Sequence, residues 1–351
     1  MNLHRLTRRR LVQQLTAAAA GSALPAFAQT AQSPEPTSRK VKVNGIDMYV
    51  QIQGTGPAVL LCHGFPELHR SWRHQVKALA GQGFRVIAPD LRGYGQTDSP
   101  KPVASYTIVE LVKDLTDLLD ALGEKTCVIV GHDFGAVLAW NACLLQPERF
   151  RAVAALSVPY SQRGPEAPMA IFKRLIGNRF FYIDYFQSPG VAEAELDGDI
   201  AKALRAQYFS FSAEGEPRRR ALAPAFRSAK FMDTLVDPGS VPAWIGEAEF
   251  AQYVADYKRN GFAGPLNWYR NLDKNWELMA KFEGAKIMQP ALFIMGEKDP
   301  VRGQTQRNYE RLPETVPNLK QSVILNNCGH WTQQEKPEEV SSLLAGFLKN
   351  L

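Results

Sequence analysis

The hexapeptide GHDFGA (residues 131–136) is the feature that most constrains how this chain can fold. It joins the apolar run TCVIV to the apolar stretch AVLAWNACLL, so the local order is predicted to be strand, tight turn and helix. Glycines on both sides of the turn allow the strand and the helix to approach each other closely. A side chain at the middle of such a turn is presented at the end of a sheet. In many enzymes that side chain is a serine, but here it is the carboxylate of Asp133.

The composition of the chain is ordinary for a soluble globular enzyme. It has 351 residues, of which 45% are hydrophobic and 22% are charged. This length exceeds one average domain, which favours a core with an inserted or appended smaller domain. The net charge is +6, but four arginines and no acidic residue lie within the first 28 residues, and subtracting those four charges leaves +2. No basic stripe interleaved with aromatic residues is present, so we expect no binding of nucleic acid.

The N-terminus has the pattern of an export signal. Thr7–Gln13 reads TRRRLVQ, which resembles a twin-arginine signal, and a mild apolar stretch and the cleavage-site pattern Ala26-Phe27-Ala28 follow it. The alternative is a basic N-terminus that is never removed. The apolar stretch is shorter than the ~20 residues of a membrane span. We therefore predict a signal peptide over residues 1–28, a disordered linker over residues 29–40, and a periplasmic or secreted protein.

The cysteines do not indicate a metal site. Cys62, Cys127 and Cys143 lie in apolar runs, where cysteine usually behaves as a small buried hydrophobe, and Cys328 lies in a loop before Gly329-His330. No CxxC pair or His/Cys spacing typical of zinc occurs. We predict free thiols and no metal or organic cofactor.

The order of strand and helix patterns predicts an α/β fold. VKVNGIDMYVQIQG reads as a hairpin with a turn at Asn44-Gly45. Short apolar strands such as AVLLC and RVIAP then alternate with helical patterns, as in a mostly parallel sheet. Residues 161–282 are rich in aromatics and prolines without a buried-strand pattern, after which ALFIM and SVIL restore the strand signal. The predicted domains are a core over residues 41–160 and 283–351 with an inserted helical cap over residues 161–282.

Three polar residues follow three of the predicted strands. Asp133 follows TCVIV, Asp299 follows ALFIM within MGEKDP, and His330 follows SVIL within NNCGHW. Sites in open α/β sheets lie beyond the carboxyl ends of strands, and nucleophile, acid, histidine is the chain order of the α/β-hydrolase triad. Alone, Asp299 would be read as a turn former and His330 as a surface group. Together with the glycine-flanked turn they predict a catalytic triad.

The acid of such a triad could instead follow the strand AVAALSV. The residues at that point are Ser157-Val158-Pro159, which include no carboxylate. Asp299 is therefore the predicted acid.

A carboxylate at the turn indicates the type of reaction. A serine attacking a saturated carbon would form an ether that the site could not hydrolyse, whereas a carboxylate forms an ester that water can split. Asp133 is ionised at neutral pH without help, because the ordinary pKa of aspartate is about 3.9. His330 is then free to activate water. The sequence therefore predicts displacement at an sp³ carbon rather than acyl transfer from an external ester.

Hydrolysis of that ester requires an oxyanion hole. HGFP (residues 63–66) follows the strand AVLLC, at the position of the loop that contributes one amide in this fold. We predict that the backbone N–H groups of Phe65 and Phe134 form the hole. The alternative for HGFP is a turn that only ends a strand.

From about residue 41 to the C-terminus the sequence resembles the epoxide hydrolases of the α/β-hydrolase superfamily, in particular the hydrolase domain of soluble epoxide hydrolase. The motifs that carry the resemblance are GPAVLLCHGFPE, GHDFGA, YFQSPGVAEAEL, GFAGPLNWYRN and CGHWTQQEKPEEV. The first, second and last lie in the predicted core, and the other two lie in the predicted cap. The chain differs from that relative at Phe134, where the relative has tryptophan. The resemblance implies an epoxide substrate that is converted to a vicinal diol.

The resemblance also implies two cap tyrosines that hold the epoxide oxygen. By motif these are Tyr182 in FFYIDYFQ and Tyr269 in NWYRN, with Tyr185 an alternative to Tyr182 because it lies one helical turn away. Ring opening develops an alkoxide, to which two phenols can donate hydrogen bonds and a proton. The alternative is that these tyrosines only pack the cap.

Two other functions are compatible with parts of the pattern. A haloalkane or haloacid dehalogenase could use the same triad, but its halide site commonly includes a tryptophan directly after the nucleophile, and Phe134 has no N–H to donate. A catalytically inactive ligand-binding protein would have no need of His330. Epoxide hydrolysis is therefore the predicted function.

Overall fold

The computed structural model describes residues 35–222, 226 and 229–351. The predicted signal peptide and the first part of the predicted linker lie outside the described residues. Among the residues described, no helix has the length and apolar character needed to cross a membrane.

Eight strands form one sheet, in the order β1-β2-β4-β3-β5-β6-β7-β8. β1 with β2 and β2 with β4 pair antiparallel, and all the other pairs are parallel. The prediction of a mostly parallel sheet is confirmed. The strands are β1 (Thr37–Val43), β2 (Ile46–Gln53), β3 (Ala58–Cys62), β4 (Arg85–Pro89), β5 (Cys127–His132), β6 (Phe150–Leu156), β7 (Ala291–Gly296) and β8 (Leu319–Leu325).

β1 and β2 form the predicted hairpin. Asn44 and Gly45 make the turn with φ of 41° and 77°, the left-handed conformation that tight hairpins require. Thr37 pairs with Ile52, so the strand begins within the segment that we predicted to be disordered. The linker prediction is wrong for residues 37–40. Polar composition suggested disorder there, but the backbone of these residues is paired along its length with β2.

Helices cover both faces of the sheet in the described part of the chain. Alternate residues of β3 point to opposite faces: Leu60 packs in one apolar cluster, and Val59 and Leu61 pack in the other. The helices of the core are α1 (Arg73–Ala80), α2 (Ile108–Ala121), α3 (Phe134–Leu145), α12 (Pro300–Glu310), α13 (Leu312–Thr315), α14 (Thr332–Glu335) and α15 (Pro337–Lys349).

Between β6 and β7 the described chain is helical. The helices are α4 (Pro168–Ile176), α5 (Tyr182–Tyr185), α6 (Val191–Leu196), α7 (Ile200–Phe211), α8 (Glu216–Arg220), α9 (Glu247–Asn260), α10 (Ala263–Arg270) and α11 (Leu272–Leu278). We call this segment the cap. Its apolar side chains, such as Phe186 and Leu266, belong to the same cluster as the sheet residue Leu60, so it packs directly on the core.

The turn between β5 and α3 holds Asp133 in a backbone conformation that aspartate rarely adopts. Its φ is 53° and its ψ is −118°. The neighbouring glycines explain how the turn fits. A Cβ atom on Gly131 would lie 2.0 Å from the carbonyl oxygen of Gly135, and one on Gly135 would lie 2.1 Å from that of Cys62. Only glycine allows strand, turn and helix to pack this closely.

Candidate active site

The structure brings Asp133, Asp299 and His330 together at the carboxyl end of the sheet. His330 Nε2 lies 3.5 Å from Asp133 Oδ2, and His330 Nδ1 lies 3.1 Å from each carboxylate oxygen of Asp299. Asp299 also accepts a hydrogen bond of 2.9 Å from the amide of Val301 at the start of α12. This is the geometry of a nucleophile, a base and an orienting acid.

The carbonyl oxygen of His330 is also held in place. Ser157, which follows β6 at the position where an alternative acid could have stood, donates its hydroxyl to this oxygen at 3.0 Å. The amide of His330 donates to the carbonyl of Phe211 at the end of α7, at 2.8 Å. Core and cap therefore both fix the backbone of the histidine.

Two opposing effects set the pKa of His330. Burial disfavours its charged form, but the negative charges of Asp299 and Asp133 outweigh burial and raise the pKa well above its ordinary value. For Asp133, burial alone would raise the pKa, but the hydrogen bond and charge of His330 lower it below the ordinary range. The resting site therefore contains an ionised nucleophile beside a protonated histidine.

One of the two predicted oxyanion-hole amides contacts the nucleophile directly. The N–H of Phe65 donates to Asp133 Oδ1 at 2.9 Å. The N–H of Phe134 belongs to the first residue of α3, next to Asp133 in the chain, and makes no hydrogen bond to this carboxylate among the described contacts. Oδ1 is therefore the oxygen held by the backbone, and Oδ2 is the oxygen nearer to His330.

A cavity of about 300 Å³ opens on the nucleophile. The side chain of Asp133 is 16% exposed and lines it, so a ligand in the cavity can reach the carboxylate. Much of the wall is aromatic, including Phe65, Tyr182 and Tyr269. Other described lining residues are polar: Gln207, Arg219, Thr234 and Gln304.

The cap tyrosines separate into one pair in the cavity and one residue outside it. Tyr182 and Tyr269 both line the cavity, with ring centroids 5.9 Å apart. Tyr185 donates its hydroxyl to Glu195 at 2.9 Å and does not line the cavity. The geometry therefore favours Tyr182 over the alternative Tyr185.

Both cavity tyrosines are held in the protonated form. Their removal from water raises the pKa of each, and the negative charge of Asp133 raises it further. The ring of Tyr269 packs perpendicular to that of Phe134, with centroids 4.5 Å apart. These tyrosines can donate hydrogen bonds to a ligand that lies above the nucleophile.

A buried network beneath the triad was missed by the sequence analysis. Glu67 Oε2 lies 2.6 Å from His132 Nδ1, and His132 Nε2 lies 2.8 Å from the carbonyl oxygen of His330. Both ring nitrogens of His132 therefore face oxygen acceptors. Gln333 and Gln334 donate to the Glu67 carboxylate as well. The signal in the sequence was an acidic residue directly after HGFP, close behind a buried strand.

The charge of Glu67 is stabilised by this network. Burial raises the pKa of its carboxyl group, but the charge and the hydrogen bond of His132 outweigh burial and hold the pKa below its ordinary value. Glu67 and His132 therefore form a buried carboxylate–histidine pair that supports the backbone of His330.

The described residues contain no cluster of histidine, cysteine, aspartate and glutamate that could hold a metal ion. All four cysteines are buried and unpaired, and burial raises the pKa of the Cys62 thiol.

The family of the chain follows from comparison with known proteins. Residues 57–337 match the sequence model of the alpha/beta hydrolase fold, so the chain belongs to the α/β-hydrolase family. Among curated proteins it is 45% identical to epoxide hydrolase A of Mycobacterium tuberculosis over 320 residues, which are 90% of this chain and 98% of that protein. It is 40% identical to the mouse bifunctional epoxide hydrolase 2 over 307 residues, which are 87% of this chain and 54% of that longer protein.

Solved structures agree with this assignment. The crystal structure of epoxide hydrolase A from Mycobacterium thermoresistibile superimposes with a TM-score of 0.85 at 44% identity, covering 90% of this chain and 99% of that one. An epoxide hydrolase from an endophytic Streptomyces gives a TM-score of 0.86 at 41% identity, covering 90% and 96%. Within the α/β-hydrolase family, the chain belongs to the epoxide hydrolases.

Replacing Glu67 with glutamine is expected to lower the free energy of unfolding at neutral pH by about 3 kcal/mol, because His132 is then buried without its carboxylate. The folded-state pKa of Glu67 lies below its ordinary value of 4.5. Its contribution is therefore fully present above that pH and is lost as the pH falls through the folded-state pKa. Urea unfolding of both proteins over a pH series measures the difference.

Glu148→Gln is the matched control, since Glu148 is exposed and has no ion pair among the described contacts. It should leave the free energy of unfolding nearly unchanged. Two results would contradict the stabilising role of the Glu67–His132 pair. The first is a loss in the free energy of unfolding for Glu67→Gln no larger than the loss for the control. The second is a loss that does not become smaller as the pH is lowered.

Proposed function

We propose that the protein hydrolyses an epoxide to a vicinal diol through a covalent ester on Asp133. The observation that carries the proposal is the cavity itself: it is lined by an ionised carboxylate that a ligand can reach and by two protonated tyrosines, Tyr182 and Tyr269. The similarity to proteins named epoxide hydrolase over 90% of the chain supports the same activity.

The first step is ring opening. Asp133 Oδ1 is held by the Phe65 amide, which leaves Oδ2 to attack an epoxide carbon. A C–O bond to Oδ2 forms, the C–O bond of the ring breaks, and its electron pair stays on the epoxide oxygen. That oxygen takes a proton from one of the two tyrosines while the other donates a hydrogen bond. Ring strain makes a weakly acidic phenol sufficient.

The second step is hydrolysis of the ester. The proton of the resting His330 first passes to the tyrosinate. The neutral His330 then takes a proton from water, and the resulting hydroxide adds to the carboxyl carbon of Asp133. The oxyanion forms on Oδ1, where the Phe65 amide already donates, and the Phe134 amide at the start of α3 is the second donor that we assign to it. Collapse expels the diol oxygen, which receives the proton from His330. The proton of the restored carboxyl group passes to His330, which regenerates the ionised Asp133 beside the protonated histidine.

Electrostatics link the two steps. In the resting site the charges of Asp299 and Asp133 together raise the pKa of His330. Esterification neutralises Asp133, so one of these charges disappears and the pKa of His330 falls. The neutral histidine that must accept a proton is thus favoured only after the ester has formed.

The cavity lacks the tryptophan N–H donor that a dehalogenase commonly uses to bind its halide, among the residues that the structure describes. No tryptophan is among the described residues that line it. Trp268, which follows Asn267 in the NWYRN motif, donates its indole N–H to the carbonyl of Arg92 at 3.1 Å and is not free to bind a halide. Phe134 has no side-chain donor.

We also propose that the protein is exported, on the strength of the TRRRLVQ and Ala26-Phe27-Ala28 patterns. The mature chain should then begin at Gln29, which N-terminal sequencing checks. Changing Arg8 and Arg9 to lysine should retain the precursor in the cytoplasm. Recovery of protein with Met1 intact from outside the cytoplasm would refute the export signal.

His330→Gln should form the ester and fail to hydrolyse it, because Asp133 is ionised without a base but water is not activated. Intact mass spectrometry after incubation with an aryl epoxide should show protein plus one substrate, and peptide mapping should locate the adduct on Asp133. An unmodified, inactive variant would mean that His330 acts before the attack.

Tyr182→Phe and Tyr269→Phe should each slow alkylation about a hundredfold, since losing one donor to a developing oxyanion costs ~3 kcal/mol. Hydrolysis of the ester should change less, because its oxyanion is held by backbone amides. Single-turnover kinetics that resolve the two steps provide the measurement. Tyr185→Phe is the control, since that hydroxyl is bound to Glu195 outside the cavity. If the double variant alkylates at the wild-type rate, these tyrosines only pack the cap.

A further inference from the structure

The cavity contains one cationic side chain that the proposed reaction does not use. Arg219, in the short helix α8, is the one arginine or lysine among the described residues that line the cavity. It is partly buried, and its Nε atom is buried without a hydrogen-bond partner. Within the described part of the chain its guanidinium makes no ion pair. A buried donor without a hydrogen-bond partner is costly, and an anionic ligand in the cavity would satisfy it.

The protein carboxylates whose charges reach Arg219 are engaged elsewhere. Glu216 forms an ion pair with the neighbouring Arg220. Asp299 is held by His330 and by the amide of Val301. Burial lowers the pKa of Arg219, and these engaged carboxylates do not offset burial. The guanidinium stays charged at neutral pH because its ordinary pKa exceeds 12, so an anion entering the cavity would find an unpaired cation.

Gln207, another polar residue of the cavity lining, has a hydrogen-bond acceptor without a partner, whereas Arg219 has a donor without one. Gln207 donates its amide N–H to the carbonyl of Ala203 at 3.0 Å, and its Oε1 atom is an acceptor without a donor. An anion is therefore attracted to Arg219 and not to Gln207.

Resting on the proposed function, we infer that the substrates of this protein are short epoxides whose substituent ends in a carboxylate, and that Arg219 binds this group. The planar guanidinium matches a carboxylate, with two donors for two oxygens. The volume of about 300 Å³ is at the lower end for ligand cavities, so the carboxylate must lie close to the epoxide to be inside the protein.

The test compares each acid with its neutral isostere. A series of terminal epoxides of graded chain length, each prepared as the carboxylate and as the primary amide, is assayed for kcat/KM. At the best chain length we expect the carboxylate to exceed the amide by roughly 10- to 100-fold, the value of one charged hydrogen-bonded contact. Arg219→Gln should reduce this ratio to about one, whereas Arg219→Lys should retain part of it.

Arg218→Gln is the matched control. Arg218 is exposed, lies over the ring of Phe209 and does not line the cavity, so its removal changes the net charge equally while leaving the ratio unchanged. Equal kcat/KM for acid and amide at every length, or a preference that survives Arg219→Gln, would overturn the assignment of Arg219 while leaving epoxide hydrolysis intact. Failure of the wild type to hydrolyse either member of any pair would instead refute the proposed function, and this inference with it.

Discussion

The site depends on a backbone conformation that Asp133 would not adopt alone. A positive φ at a residue other than glycine costs on the order of 1–3 kcal/mol and persists only where the surroundings enforce it. Here the surroundings are close backbone packing: the amides of Ala136 and Val137 bond the carbonyl of Asp133, and a Cβ atom on Gly64 would lie 2.4 Å from that of Asp133. The packing that strains the turn therefore also aims the carboxylate, at the point where the loops after β7 and β8 bring Asp299 and His330.

Charge is the second organising constraint. The region beneath the cavity holds two histidine–carboxylate pairs, His330 with Asp299 and His132 with Glu67, and His132 is joined to His330 through a backbone carbonyl. Neither Glu67 nor His132 takes part in a step of the proposed reaction, so this pair acts only as a support for the backbone of His330. The Asp299 pair must respond when Asp133 becomes an ester. Separate pairs allow His330 to change its proton affinity while its backbone stays fixed.

The features of the fold and site that depend on short segments could be predicted from the sequence. Those that depend on contacts between distant residues could not. The glycine-flanked turn at Asp133, the buried strands and the order of the triad are properties of short segments, and the fold predicted from them is confirmed. The prediction of a disordered linker through Lys40 was wrong, because the backbone of residues 37–40 pairs with β2 despite its polar composition. The contact between Glu67 and His132 spans 65 residues with no periodic pattern to reveal it. The choice between Tyr182 and Tyr185 rests on Glu195, a residue of another helix.

Core and cap contribute opposite halves of the proposed chemistry, and two phenylalanines connect them. In the proposed mechanism the backbone amides of Phe65 and Phe134 act on the side of the nucleophile. The rings of both residues pack against Tyr269, with centroids 5.4 and 4.5 Å away. Because an aromatic ring at residue 134 without an N–H can pack a tyrosine but cannot hold a halide, the site suits a leaving oxygen that stays attached to the substrate and needs a proton. That requirement is met by the cap. In the proposed reaction the cap must therefore stay docked through ring opening, and the aromatic contacts between Tyr269 and these two rings would align the proton donor with the nucleophile.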